Sequence, residues 1–146
     1  MEREITVSID KVYKEVAQIT AYNGGKRSEE PQAYDRISVV DDDKEELDNM
    51  LEECRKELCY AMRHVIKSET LNGVTYKMKV VLPWNFKDVM LEVVRGAIEQ
   101  FFVHGIVSRW YVYTNKGEEE SESARASALL GVIVESLFMR ERPERP

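Results

Sequence analysis

The chain has 146 residues, 43% of them hydrophobic and 33% charged, with a formal net charge of −6. This length suits one domain that buries its own core. No apolar run approaches the roughly 18 residues that span a bilayer, so no membrane partner is expected. The acidic balance argues against sequence-specific or general nucleic-acid binding, since phosphate neutralisation needs clustered Lys and Arg.

The first third of the chain predicts one helix and one short strand. The N-terminus lacks the apolar stretch of a signal peptide, so we expect the protein to begin in the cytoplasm. Residues 8–22 predict a helix capped by Ser8, which Asn23-Gly24-Gly25 is expected to end because glycine accepts the left-handed conformation. Polar residues 26–33 predict an exposed loop, and β-branched residues 36–40 predict a strand.

A second helix is predicted from the acidic start at 41–43, where carboxylates complement the helix dipole. Its apolar seam is too short for an independent coiled coil and favours packing inside a bundle. Cys54 and Cys59 both lie on this helix and point about 140° apart, which predicts two reduced thiols. The seam consists of Leu47, Leu51, Cys54, Leu58, Ala61 and Val65.

Residues 74–82 alternate apolar and polar side chains, the pattern of a half-buried strand. Its natural partner, 36–40, is shorter, which would leave part of one edge free for strand addition by a neighbouring subunit. Burial of that edge under a loop is the equally weighted alternative. The apolar face consists of Val74, Tyr76, Met78, Val80 and Leu82.

Two further helices are predicted after Pro83. Asn85 is expected to cap the first, with Trp84 packed on Val89, and the helix either passes Gly105 or kinks there. The last helix starts in the acidic run at Glu118. Its predicted buried stripe consists of Ala124, Ala128, Leu129, Val132, Ile133, Leu137 and Phe138.

These elements predict a mainly α fold: a four- to five-helix bundle with a small two-stranded β element. We expect a single helical domain over 1–146, with a flexible tail at 140–146 because its prolines cannot continue a helix.

Few residues point to chemistry. Gly24-Gly25-Lys26 lacks the remaining residues of a phosphate-binding loop. Carboxylates at Asp88, Glu92 and Glu99 recur on one helix, but no Glu-x-x-His accompanies them, so a solvated face is favoured and neither metal nor cofactor is predicted. The tail arginines either dock on another protein or belong to a frayed terminus. The candidate interaction residues are Tyr76, Met78, Val80, Leu82, Arg140, Arg142 and Arg145.

Four stretches carry a family resemblance. They are Tyr34-Asp35-Arg36, the strand from Tyr76 to Leu82 closing in Pro83-Trp84-Asn85-Phe86, the run from Phe101 to Tyr111, and Arg140-Glu141-Arg142-Pro143. In this order the chain resembles the small head-tail connector or head-completion proteins of tailed bacteriophages, in particular those of prophages in Bacteroides-like bacteria.

The resemblance implies a helical subunit that joins a ring beneath the portal, with no catalytic activity. Its implied partners are copies of itself and portal or tail components, and its implied location is the host cytoplasm and then the virion. The net negative charge of the chain differs from what is expected of a protein that lines a DNA channel. An acidic lumen would nevertheless repel DNA and let it slide. The alternative interpretation is a cytoplasmic helical adaptor or regulatory protein-binding module. A third interpretation is an enzyme that binds a metal ion on Asp88, Glu92 and Glu99.

Overall fold

The structure, a computed structural model, describes residues 1–26, 39–40 and 43–140. This part of the chain contains four helices and three strands. In chain order they are β1 (Glu2–Ser8), α1 (Ile9–Lys26), α2 (Lys44–Ala61), β2 (Ile66–Asn72), β3 (Thr75–Val81), α3 (Met90–Thr114) and α4 (Lys116–Leu137). The mainly helical prediction is confirmed, whereas the small sheet has three strands instead of the two predicted.

The sheet is antiparallel with the order β1-β3-β2, so β3 is its central strand. Met78 pairs with Ile5 on one side and with Glu69 on the other. A tight turn joins β2 to β3 at Gly73, whose φ of +58° is a conformation that glycine adopts without steric cost. The predicted strand at 74–82 is therefore confirmed to within a residue at each end.

The predicted partner of this strand is wrong. Residues 36–38 lie outside the described part of the chain, and Val39 and Val40 are not in a strand. β1 and β2 hydrogen-bond both edges of β3 instead. The prediction of a free edge for a neighbouring subunit is therefore also wrong, because the backbone groups that would accept another strand are already paired.

Strands β1 and β2 have only weak signals in the sequence. β1 carries only two buried apolar side chains, Ile5 and Val7, which is a short run of alternation. β2 was missed because the apolar seam of α2 was extended to Val65, while the helix ends at Ala61. The chain then turns and enters β2, whose pairing with β3 shifts register between Ile66 and Ser68.

The first helix begins as predicted and ends later. The Ser8 hydroxyl accepts a hydrogen bond from the backbone N–H of Lys11 at 3.4 Å, the contact expected of an N-cap. The predicted stop at Asn23-Gly24-Gly25 is wrong, since α1 continues to Lys26. Apart from Lys26, the predicted loop 26–33 lies outside the described residues. Thr20, buried in α1, accepts a hydrogen bond from the backbone N–H of Val39 at 3.0 Å.

α3 is the central helix, as its broad apolar stripe predicts. It runs past Gly105 to Thr114 without a break. Its predicted start is wrong: the helix begins at Met90, so Asn85 is not its cap. Trp84 and Val89, the predicted pair at its start, are 79% and 68% exposed. Pro83 and the turns after it delay the helix.

α4 packs antiparallel on α3, and four of the seven residues in its predicted buried stripe are exposed. Ile133 and Leu137 are buried as expected. The other buried side chains of α4 are small or polar, and Leu129 and Leu130 are partly buried against the core. The buried residues include Glu122, Ala126 and Ser136, whereas the exposed ones include Ala124, Ala128, Val132 and Phe138.

The contact between α2 and α3 generates a prediction at Gly105. A Cβ atom added there would lie 2.8 Å from the sulfur of buried Cys54. Glycine-to-alanine changes in helices normally stabilise by about 1 kcal/mol, but overpacking a core costs about 1–3 kcal/mol. We therefore expect Gly105→Ala to lower the free energy of unfolding, measured by urea denaturation, relative to Gly96→Ala, whose added Cβ meets no atom within 4 Å.

Cys54→Ala in the Gly105→Ala background serves as the control. Removing the sulfur should make the alanine at 105 less costly than it is in the wild type. Equal effects of Gly105→Ala with and without the sulfur would contradict the close contact.

Candidate functional site

The four strand residues predicted to interact with other subunits are in the core. Tyr76, Met78, Val80 and Leu82 are each at most 2% exposed. The Tyr76 ring meets Phe102 of α3 edge to face, with centroids 5.3 Å apart. The structure thus corrects the prediction that this face is a contact surface, because exposing it would require the sheet to leave α3.

Of the three tail arginines, only Arg140 lies within the described residues. Arg140 lies beside Phe86 in an isolated antiparallel bridge, and its guanidinium donates to the carbonyl oxygens of Leu137 at 2.7 Å and Met139 at 3.0 Å. It therefore caps the end of α4. Arg142 and Arg145, like the rest of the predicted tail 141–146, lie outside the described residues.

A polar cluster joins α2 to the sheet. Arg55 donates to Glu52 at 2.7 Å and to Glu69 of β2 at 2.9 Å, and the Tyr76 hydroxyl donates to the same Glu69 carboxylate. The Arg55 guanidinium carbon lies 5.6 Å from the centroid of the Tyr76 ring. Within this cluster, the buried side-chain donors and acceptors are hydrogen-bonded to one another. The exception is the Arg55 Nε, which is buried without a partner.

The cluster sets the protonation of its members. Burial raises the pKa of Glu69, but hydrogen bonds from Tyr76 and Arg55 and the charge of Arg55 outweigh it, so the pKa is lowered. Burial and the neighbouring Glu69 raise the pKa of Cys59 to about 11. At neutral pH this thiol is protonated, and a protonated thiol is a poor nucleophile.

A second cluster lies between α2 and α3. Arg109 donates to Glu53 and Glu57, each at 2.9 Å, and approaches the sulfur of Cys54 at 3.3 Å. Burial raises the pKa of Cys54 to about 12 despite the nearby guanidinium. Both cysteines are free thiols, as predicted. These contacts hold α2 against α3 and leave no activated sulfur.

The three carboxylates considered for a metal site take part in separate ion pairs. Asp88 pairs with Arg3 at 3.1 Å, Glu92 with Arg95 at 2.6 Å, and buried Glu99 with both Arg95 and Lys11. Within residues 1–26, 39–40 and 43–140, no three His, Cys, Asp or Glu side chains are placed to hold a metal ion.

Large apolar side chains are exposed around the C-terminal end of α4. The segment after β3 reaches this end, where the backbone N–H of Lys87 donates to the Met139 carbonyl at 3.3 Å. The end of β3 lies beside the turn that follows α2, where the backbone N–H of Val81 donates to the Val65 carbonyl at 2.7 Å. The exposed side chains are Tyr60, Val81, Trp84, Val89, Phe138 and Met139. We call this region the apolar end.

The apolar end contains a depression of about 330 Å³ between the C-termini of α2 and α4. Arg63 lies at its edge, 4.3 Å from the centroid of the Tyr60 ring, and the Arg140 guanidinium carbon lies 5.9 Å from that of Phe138. We call this depression, which Arg63 lines, the basic groove. Its lining includes Tyr60, Arg63, Val65, Val134, Leu137 and Phe138.

Sequence reasoning missed this surface because its residues looked like core. The sequence pattern predicts that Trp84 packs on Val89 and that Phe138 is buried, whereas all three are exposed. A signal was available in Pro83, since a delayed start of α3 leaves both Trp84 and Val89 outside the helix, where they have no neighbouring turn to pack on.

Comparisons with protein-family models, curated proteins and solved structures gave no match. In the described ranges, none of the helices combines the length and apolar character needed to cross a membrane. Functional inference therefore depends on the surfaces described above.

The cluster around Glu69 leads to a prediction of how the free energy of unfolding depends on pH. A carboxylate with a lowered pKa stabilises the fold above its unfolded-state pKa of about 4.3 and loses that effect as pH falls through its folded-state pKa. We expect the free energy of unfolding of the wild type to fall as pH drops from about 5 to 3. Glu69→Gln should flatten part of this slope and destabilise at neutral pH, because Arg55 and Tyr76 lose a charged acceptor.

Glu45→Gln is the matched control, since Glu45 is exposed in the first turn of α2 and has no ion pair among the described residues. Urea denaturation at several pH values measures both variants. An unchanged slope in Glu69→Gln would contradict the assigned role of the cluster.

Proposed function

We propose that this protein is a structural subunit of the head-tail connector type in a phage or prophage, and that it acts by binding neighbouring protein subunits. The family resemblance supplies the type of assembly, and the apolar end supplies the observation that carries the proposal. Monomeric proteins rarely expose several large apolar side chains together, and such patches are typical of protein–protein interfaces.

The composition of the apolar end supports protein partners. Trp84 and Tyr60 are the side-chain types enriched among residues that dominate binding energy, and both are about 70% exposed or more. Two arginines border the same region, which suits an interface with an apolar centre and a polar rim. The proposed partners are further copies of this chain and portal or tail components.

The proposal is tested in the bacterium that carries the gene. Particles released after prophage induction are purified on a density gradient, and the protein is quantified by mass spectrometry. We expect it to sediment with the particles in several copies each. Deletion of the gene should leave filled heads and tails unjoined in electron micrographs, and the wild-type gene supplied in trans should restore joined particles.

A matched pair of complementing variants links this phenotype to the surface. Trp84→Asp should fail to restore joined particles, because it places a charge in the apolar end, whereas Val74→Asp in the β2–β3 turn should restore them. Both side chains are exposed, so both variants should fold. A protein that stays in the cytosolic fraction, with particle assembly intact after deletion, would overturn the proposal and favour the adaptor or regulatory alternative.

A further inference from the structure

Helices α2 and α4 both pack on α3, and two depressions lie along the line where they face each other. Ala61 of α2 and Val134 of α4 line the basic groove. Glu57 and Ser127, each earlier on its own helix, line a second depression of about 240 Å³. The two helices therefore run in the same direction. We call the two depressions together the α2–α4 seam.

The basic groove combines an uncompensated positive charge with accessible aromatic rings. Arg63 lines it, donates to the Tyr60 carbonyl oxygen at 2.9 Å and has no carboxylate partner among the described residues. In the described part of the chain, no Asp or Glu lines this depression. Tyr60 and Phe138 are 69% and 61% exposed. The groove therefore favours a partner surface that is apolar and ends in carboxylates.

The second depression has the opposite charge. Arg109 is the one basic side chain that lines it within the described ranges, and this guanidinium already binds Glu53 and Glu57, each at 2.9 Å. Glu119 of α4 also lines it, is half-buried and forms no ion pair among the described residues. Lys116, the nearest cation along α4, does not line the depression. Three carboxylates thus accompany one guanidinium, so this end of the seam is negative.

The helix dipoles favour one direction for a third helix in the seam. α2 ends at Ala61 and α4 at Leu137, so the negative ends of both dipoles lie at the basic groove. A docked helix that runs the opposite way places its positive N-terminal end against them. Helices themselves favour acidic side chains in the first turn and basic ones in the last. Such a helix would therefore bring carboxylates to the basic groove and cations to the negative end.

We infer that the α2–α4 seam binds an amphipathic helix of a different protein, with acidic residues in its first turn and basic residues in its last. This inference rests on the proposed function, for which it names the kind of segment that a neighbouring subunit contributes. The apolar face of the helix covers Tyr60 and Phe138, its first turn meets Arg63, and its last turn meets Glu119. From Ser123 to Phe138 the α4 wall spans about 22 Å at 1.5 Å per residue, so a helix of about 15 residues fills the seam.

A library of displayed helical peptides tests the inference. Each peptide has about 15 residues, randomised apolar residues along one face, and either Glu or Lys at the charged positions of its first and last turns. Selection on the purified full-length protein should enrich peptides with Glu in the first turn and Lys in the last. Selection on Arg63→Glu should reverse the preference in the first turn and keep it in the last, because only one end of the seam has changed.

An enriched peptide, synthesised with a fluorescent label, gives the affinities by anisotropy. Phe138→Asp should weaken its binding by roughly 30-fold, as expected for a residue that dominates an interface, and Arg63→Glu by roughly tenfold. Lys77→Glu is the matched charge control, since Lys77 is exposed on β3 away from the seam, and should bind like the wild type. All three side chains are exposed, and circular dichroism checks that the variants fold.

The inference is wrong if no peptide is enriched, if the enriched peptides have the opposite charge order, or if Phe138→Asp and Arg63→Glu leave the affinity unchanged. It is also wrong if a second copy of the chain occupies the seam, which size exclusion would show as concentration-dependent association that Phe138→Asp removes. None of these results decides the proposed function, which the particle and deletion experiment tests. Conversely, a protein that is absent from particles but binds the selected peptides would lose the proposed function and retain the helix-binding seam.

Discussion

The packing of β3 against α3 is the constraint on which the rest of the structure depends. β3 is hydrogen-bonded on both edges and buries one entire face, so it brings together β1 from the N-terminus and β2 from the middle of the chain. Tyr76 meets Phe102 edge to face at the centre of this contact. Since the strand sits in the core, any contact surface must come from the elements around it.

Charged side chains position α2 on this core. Arg55 joins it to β2 through Glu69, and Arg109 of α3 joins it through Glu53 and Glu57. Exposed ion pairs contribute little individually, about 0–1 kcal/mol, but these share guanidinium groups and approach the buried Cys54 and Tyr76. They orient α2 so that its C-terminus lies beside that of α4, which creates the basic groove.

The functional interpretation follows from what the core leaves uncovered. The delayed start of α3 exposes Trp84 and Val89, and the end of α4 exposes Phe138. At the other end of the α3–α4 pair, Tyr113 is 84% exposed. The exposed side chains of the apolar end are the surface on which the proposed binding of neighbouring subunits rests.

The sequence alone determined the four helices, the central strand and the two free thiols, because the hydrophobic period is a local property, as in the seam through Leu47 and Leu58. Tertiary structure decided the partners of β3 and which apolar side chains are exposed. β1 buries only Ile5 and Val7, which is too little alternation to indicate a strand, and Phe138 falls on the helical period of core residues although it is exposed. Whether an apolar side chain is covered depends on elements distant in the chain, here the orientation of α2 and the path after Pro83, which no local pattern encodes.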